Sequence, residues 1–334
     1  MPSTVIAVDA MGGDHAPAVV IEGALAATRS GGIRVALTGP AERLREVLAG
    51  YGAEAAGLSV VDAPDVIGIS ESPLAALRRK PRSSVRVAAD MVARGDAQAM
   101  FTAGHSGAAF LASHAAFGLL AGVERPALAV TVPTHTGAAL LLDAGANLEC
   151  RPEHLEQFAL LGSAYARVAI QIERPRVGLL SIGEEAGKGN DLIREAHARL
   201  ATQPIVFVGN VEARDLFTGR ADVIVCDGFT GNVALKVGEG LVEAVEHMLR
   251  EELGGALVSQ IGALLTRRAF ERFRTRVDYA EYGAAPLLGV AGLTLIGHGR
   301  SSARAVENGI AMAARLAGSA VLDRLAGAMR PVNG

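Results

Sequence analysis

The chain has 334 residues, half of them hydrophobic, with 40 glycines, no tryptophan and a formal net charge of −3. That profile excludes a disordered or fibrous chain. The near-neutral charge gives no reason to expect nucleic acid as a partner. Cys150 and Cys226 have neither metal-ligand nor redox spacing and read as reduced thiols of a cytosolic protein. The first residues enter a strand without the charged and apolar regions of a signal peptide. No apolar run reaches the ~20 residues that a spanning helix needs.

In chain order, strands are predicted over 4–10, 33–39, 58–64, 97–104, 127–133, 138–143, 176–183, 204–210 and 222–228. Helical patterns separate most of them, as over 152–170 and 191–200. Strand–helix alternation implies crossover connections and a mainly parallel sheet covered on both faces. The strands within 127–143 are joined only by "THTG", which predicts an antiparallel hairpin. With no internal repeat and no low-complexity linker, residues 1–334 read as a single α/β unit.

Four glycine-rich loops fall at the C-terminal ends of predicted strands, the edge where open α/β sheets bind ligands. The first follows "TVIAVDA" and holds Asp9, Gly12, Gly13, Asp14 and His15. Paired glycines between two carboxylates let a backbone approach a ligand closely, because no Cβ blocks the way. The second, "TAGHSGA", carries Gly104, His105, Ser106 and Gly107, with Ser106 the expected N-cap of a helix. In the third, "SIGEEAGKGN", Lys188 lies between glycines beside Gly189 and Asn190, free to point at a phosphate or an oxyanion. The fourth, "CDGFTGN", places Asp227, Thr230, Gly231 and Asn232 before a long helix. Its unpaired N–H groups favour an anion, although capping competes for the same groups.

Neither a dinucleotide fingerprint, a Walker motif nor a nucleophile elbow occurs in its required context. Carboxylates do not cluster at ligand spacing, so no metal is expected. Cys226 reads as a buried small residue rather than a nucleophile.

One segment leaves the strand–helix rhythm. Within a helical protrusion at about 245–280, Leu257, Val258, Ile261, Leu264 and Leu265 form an apolar stripe, followed by Arg267, Arg268, Arg272, Arg274 and Arg276. It reads either as a dimer contact or as an element that meets an anionic bilayer or an acidic carrier protein.

Taken together, "IAVDAMGGDHAP", "LLDAGAN", "FVGNVEARDLF", "DGFTGNVALK" and "DYAEYGAAPLLGV" resemble the phosphate acyltransferases of bacterial phospholipid synthesis, the PlsX family. The resemblance runs in order from about residue 4 to about residue 315. It implies transfer of a long acyl chain from acyl carrier protein to inorganic phosphate, giving acyl phosphate for glycerol-3-phosphate acylation. It further implies a three-layer α/β/α sandwich similar to phosphotransacetylases and the isocitrate dehydrogenase group. A homodimer is implied too, with peripheral contact to the inner face of the membrane, near the downstream glycerol-3-phosphate acyltransferase. No cofactor is implied, since phosphate is a substrate. By motif, Lys188 and Asn232 resemble residues needed for activity, and Gly12 to His15 match the opening loop. The chain departs from the family at Thr102–Ala108, where relatives read S-A-G-N-T-G-A, and at His135-Thr136, where they often carry Val-Asp. Histidine at 105 keeps a donor, changes the size and adds a titratable group.

Alternatives from the loops alone are a phosphotransacylase using coenzyme A esters and a non-catalytic acyl-carrier or membrane-binding scaffold. An isocitrate-type dehydrogenase should show a carboxylate cluster for a metal, which is missing here.

Overall fold

The computed structural model describes residues 3–29, 31–254, 262, 265–268, 270, 272–273 and 283–330. Aliphatic runs alternate with helices as expected, and their strands distribute over two sheets. The first combines β1 (Thr4–Asp9), β2 (Ile33–Gly39), β3 (Leu58–Asp62), β4 (Ala99–Thr102) and β5 (Ala127–Leu128) with two late strands, β11 (Ala285–Leu288) and β12 (Leu293–Ile296). Its order is β3-β2-β1-β4-β12-β11-β5, parallel from β3 to β12, with Ile6 opposite Ala99. The second contains β6 (Val130–Thr134), β7 (Gly137–Leu142), β8 (Arg176–Leu180), β9 (Val206–Val211) and β10 (Val223–Val225), in the order β6-β7-β10-β8-β9.

The predicted strand 127–133 is therefore two strands. Ala127–Leu128 pairs with β11 and Val130–Thr134 with β7, so the chain passes between sheets at Ala129. The expected hairpin forms from β6 and β7. The strands β11 and β12 were not anticipated, because four residues between glycines leave little periodicity to read.

Strand alternation explains the layers, since successive side chains point to opposite faces. From the first sheet, Ile6, Val8 and Phe101 pack under α1 (Ala18–Arg29) and α9 (Ala303–Ala317). On its other face, Ala7 and Met100 meet α4 (Ser84–Arg94) and α5 (Ser106–Phe117). The small side chains of that face let the helices sit close. Gly23 of α1 plays the same part on the opposite side, where a Cβ would stand 2.5 Å from the Ala303 carbonyl oxygen.

In the second sheet, Leu140, Leu142, Val177 and Val223 lie under α6 (Pro152–Ala169) and α7 (Asp191–Leu200). Leu141, Val211 and Ile224 face Leu216 and the inner side of α8 (Gly228–Gly254). Each fully buried Leu, Ile or Phe contributes about 1.5–3 kcal/mol from burial. Among the described residues, no helix is long and apolar enough to cross a membrane. Of the protruding segment, Leu257, Ile261 and Leu264 lie outside the described residues, while Arg267, Arg268 and Arg272 are exposed on helical turns.

Candidate functional site

Strand β1 ends at Asp9, whose side chain is 4% exposed. Its carboxylate accepts the Thr102 hydroxyl at 2.8 Å and the Met11 N–H at 3.2 Å. Burial pushes this carboxyl up from the ordinary range, against the opposing bonds from Ser84, Thr102, Met11 and Gly12. Gly12 is required by proximity, since a Cβ there would lie 2.7 Å from the Gly104 nitrogen. Gly13 has φ +109°, a conformation glycine adopts at little cost. The Asp14 N–H then donates to the Gly299 carbonyl at 2.8 Å. Three loops are thus drawn together, 9–15, 102–107 and 297–302.

A cavity of about 870 Å³ opens between these loops, the second sheet and α8. Asp14, His105, Ser106, Asn232, His298 and Arg300 are among its polar lining residues, with Lys236, Glu239 and Glu243 of α8. Val130, Val132, Leu141, Leu216, Leu235 and Val242 are among its apolar lining residues. A smaller cavity of about 170 Å³ lies beside Asp9, Gly12, Gly13 and Ser84, and Asp14, Ile69, Gly104 and His105 line both.

The N-cap of α5 is His105 and not Ser106, which is a correction to the expectation. The His105 Nδ1 accepts the Gly107 N–H at 3.2 Å, and Ser106 is the first helical residue, exposed at the cavity. Gly107 packs behind that ring, so a Cβ there would stand 3.2 Å from the His105 Cε1.

At the second sheet, α8 begins at Gly228, several residues before the predicted helical run. Asp227 caps it, accepting the Thr230 N–H at 2.8 Å and the Thr230 hydroxyl at 2.7 Å. A second carboxylate, the fully buried Asp143, lies beside this turn. Its Oδ1 accepts the N–H groups of Leu128, Gly145 and Ala146, and its Oδ2 that of Asn147 at 2.7 Å. Burial pushes the Asp143 carboxyl up while these bonds oppose it. Gly231 is the point of closest approach, since a Cβ would fall 1.9 Å from the Asp143 carbonyl oxygen. Asn232 follows, exposed beside Gly145 and lining the large cavity. Cys226 is buried against the Asp143 carbonyl, and burial pushes its thiol well up, as suits an inert packing residue.

Lys188 is exposed and lines neither cavity. No hydrogen bond or ion pair holds its ammonium among the described residues. Its loop follows β8, the parallel neighbour of β10, so it shares an edge with the Asn232 loop. Gly189 has φ +100°, and Asn190 caps α7 by accepting the Ile193 N–H at 3.0 Å. His15 and His135 are exposed and line neither cavity, and neither do Asp227, Thr230 and Gly231.

Sequence reasoning missed a polar group on this cavity. Lys236 Nζ lies 3.2 Å from His298 Nε2 and 2.7 Å from Glu239, while Arg300 bonds Glu243 at 3.1 Å. Burial, and then the nearby Lys236 charge, hold the His298 imidazole below its ordinary range, so it is neutral near pH 7. "GHGRSS", a polar glycine run between β12 and α9, carried the signal, but only once β12 is recognised. Among the described residues no three His, Cys, Asp or Glu side chains gather as a metal site.

The pattern of the family described as "Fatty acid synthesis protein" matches residues 4–324. A phosphate acyltransferase from Geobacter sulfurreducens is 48% identical over 321 residues, covering 96% of this chain and 93% of that one. Another, from Nitratidesulfovibrio vulgaris, is 49% identical over 316 residues, covering 94% and 91%. Among solved structures, a phosphotransacetylase from Streptococcus pyogenes aligns with TM-score 0.63 at 16% identity, covering 95% of each chain. One from Staphylococcus aureus aligns with TM-score 0.62 at 14% identity, covering 94% of each. The two structural likenesses show a shared fold.

Proposed function

The chain belongs to the fatty acid synthesis protein family, that of the phosphate acyltransferases, and on that premise we propose that it transfers a long acyl chain from acyl carrier protein to inorganic phosphate. The observation that carries this reading is the large cavity between the two sheets and α8, whose lining combines polar and charged side chains with aliphatic ones. A phosphate and a thioester carbonyl meet at its polar side chains, and the hydrocarbon chain lies along the partly exposed Val130, Leu235 and Val242. Burying each methylene there contributes about 0.8 kcal/mol. Because the cavity takes walls from both sheets, residues 1–334 act as one catalytic unit.

Phosphate is already ionised at neutral pH and supplies its own nucleophile. One of its oxygens attacks the thioester carbonyl carbon, forming a C–O bond. The tetrahedral oxyanion then collapses, the C–S bond breaks, and the thiolate leaves and takes a proton from solvent. The side chains place two substrates and stabilise that oxyanion. The exposed Asn232 amide supports the second role, as does the unpartnered ammonium of Lys188 on the same sheet edge. Cys226 is too buried to form an acyl-enzyme, which supports direct transfer. No cofactor takes part.

Exposed Arg267, Arg268 and Arg272 support contact with the acidic carrier protein or an anionic inner-membrane surface, beside the downstream glycerol-3-phosphate acyltransferase. Liposome binding unchanged on replacing these arginines would remove the membrane part. Val233, Val237, Leu241, Val245 and Met248 recur along the exposed side of α8, which supports a homodimer. A monomeric mass by light scattering would remove it.

The deciding experiment is free-thiol release from palmitoyl-acyl carrier protein, with and without phosphate. Release should require phosphate, favour the carrier protein over the coenzyme A ester, and fall roughly 100-fold in Lys188→Ala. Equal or better turnover of the coenzyme A ester would favour a phosphotransacylase, and no release from either donor would favour a scaffold.

A further inference from the structure

His105 stands where the two cavities meet, lining both. Its Nδ1 is committed as an acceptor to the Gly107 N–H at 3.2 Å. A neutral imidazole carries one proton, so this bond assigns it to Nε2 and fixes the tautomer. Among the described residues nothing accepts that Nε2–H. The ring is half-buried and held against Gly107. A preset donor of this kind, left without a protein partner at a cavity junction, suits an oxygen of whatever fills the cavity.

We infer that the His105 Nε2–H donates a hydrogen bond to a substrate oxygen at this junction, and that capping α5 is what holds the donor in place. This rests on the phosphate acyltransferase reading. The oxygen belongs either to the incoming phosphate or to the thioester carbonyl that becomes the oxyanion.

Three variants separate the donor from the cap. Asparagine at 105 can accept the Gly107 N–H and still donate from its amide. Serine accepts it but is too short to reach the cavity, and alanine does neither. In the phosphate-dependent thiol-release assay, His105→Asn should stay within about threefold of the wild type, whereas His105→Ser and His105→Ala should each lose roughly 100-fold in kcat/KM. Thermal melting should place His105→Ser with His105→Asn, and His105→Ala below both. A raised KM for phosphate assigns the bond to phosphate, and a reduced kcat at unchanged KM assigns it to the carbonyl. Wild-type activity in His105→Ser would reduce the histidine to a helix cap and overturn the inference. No phosphate-dependent release by the wild type would overturn the underlying reading as well.

Discussion

At the start of α5 an imidazole accepts the Gly107 N–H, while at the start of α8 the Asp227 carboxylate accepts that of Thr230. Both helices follow a buried strand and a glycine-bearing turn, and both were candidates for holding an anion. The first is closed by an imidazole that lines a cavity. The second is filled by the protein's own carboxylate, Asp227, while Asp143 beside Gly228 ties down the neighbouring 143–147 turn. A helix N-terminus attracts negative charge whatever its source. Where the chain supplies that charge itself, the turn becomes a structural joint, and it is the exposed Asn232 beyond it that lines the large cavity.

The largest test of this contrast is Gly231→Ala. A methyl group 1.9 Å from the Asp143 carbonyl oxygen cannot be accommodated without shifting α8 off the 143–147 turn. A loss of about 3 kcal/mol is expected in denaturant unfolding. A loss below 1 kcal/mol would mean that the joint is loose and that the two helix starts are more alike than described.

Next is Asp227→Ala, which removes both bonds to Thr230 and should cost about 1 kcal/mol. Added phosphate should raise the melting temperature of this variant more than that of the wild type, because the Thr230 N–H is vacated. An identical response in both would show that this turn is closed to anions for another reason.

The smallest effect concerns His298, on the loop that starts α9. Its ring titrates near 6.5 when unfolded and lower when folded, so protonation favours the unfolded chain. Its contribution is fully present above pH 6.5 and is lost as pH falls through the folded pKa. The ring is only partly buried and screened by solvent, so this is the smallest of the three effects. His298→Asn should flatten that acid-side slope, and an unchanged slope would assign it to other groups.

The layered architecture was legible because β1, β7 and β8 carry short, nearly unbroken aliphatic runs, a pattern that burial on both faces explains. The strand ends were legible too, since glycine and polar residues interrupt those runs abruptly. The division into two sheets was not, because Ala129 is as apolar as its neighbours and nothing local marks a change of partner. The His105 cap was hidden for a related reason. Serine is the stronger N-cap by preference, and only the backbone geometry at 105 shows that the helix starts one residue later. Asp143 escaped notice as a lone acid after an aliphatic run; its role depends on five hydrogen-bond donors gathered from residues 128–147. Lys188 was legible as a free lysine, and the structure places it on the Asn232 edge but outside both cavities.

The pairing of β12 with β4 has a consequence for synthesis. A chain emerging from the ribosome as far as residue 225 already holds every strand of the second sheet, all drawn from residues 130–225. The first sheet at that stage lacks β11 and β12, so one side of β4 stays open until residues 293–296 arrive. Closing that gap joins segments almost 200 residues apart, a slow kind of contact to make. Meanwhile an unpaired apolar strand edge is a place where another chain can add itself. The loop that brings His298 and Arg300 to the large cavity follows β12 directly, so the last of the described strands to arrive also completes the lining of that cavity.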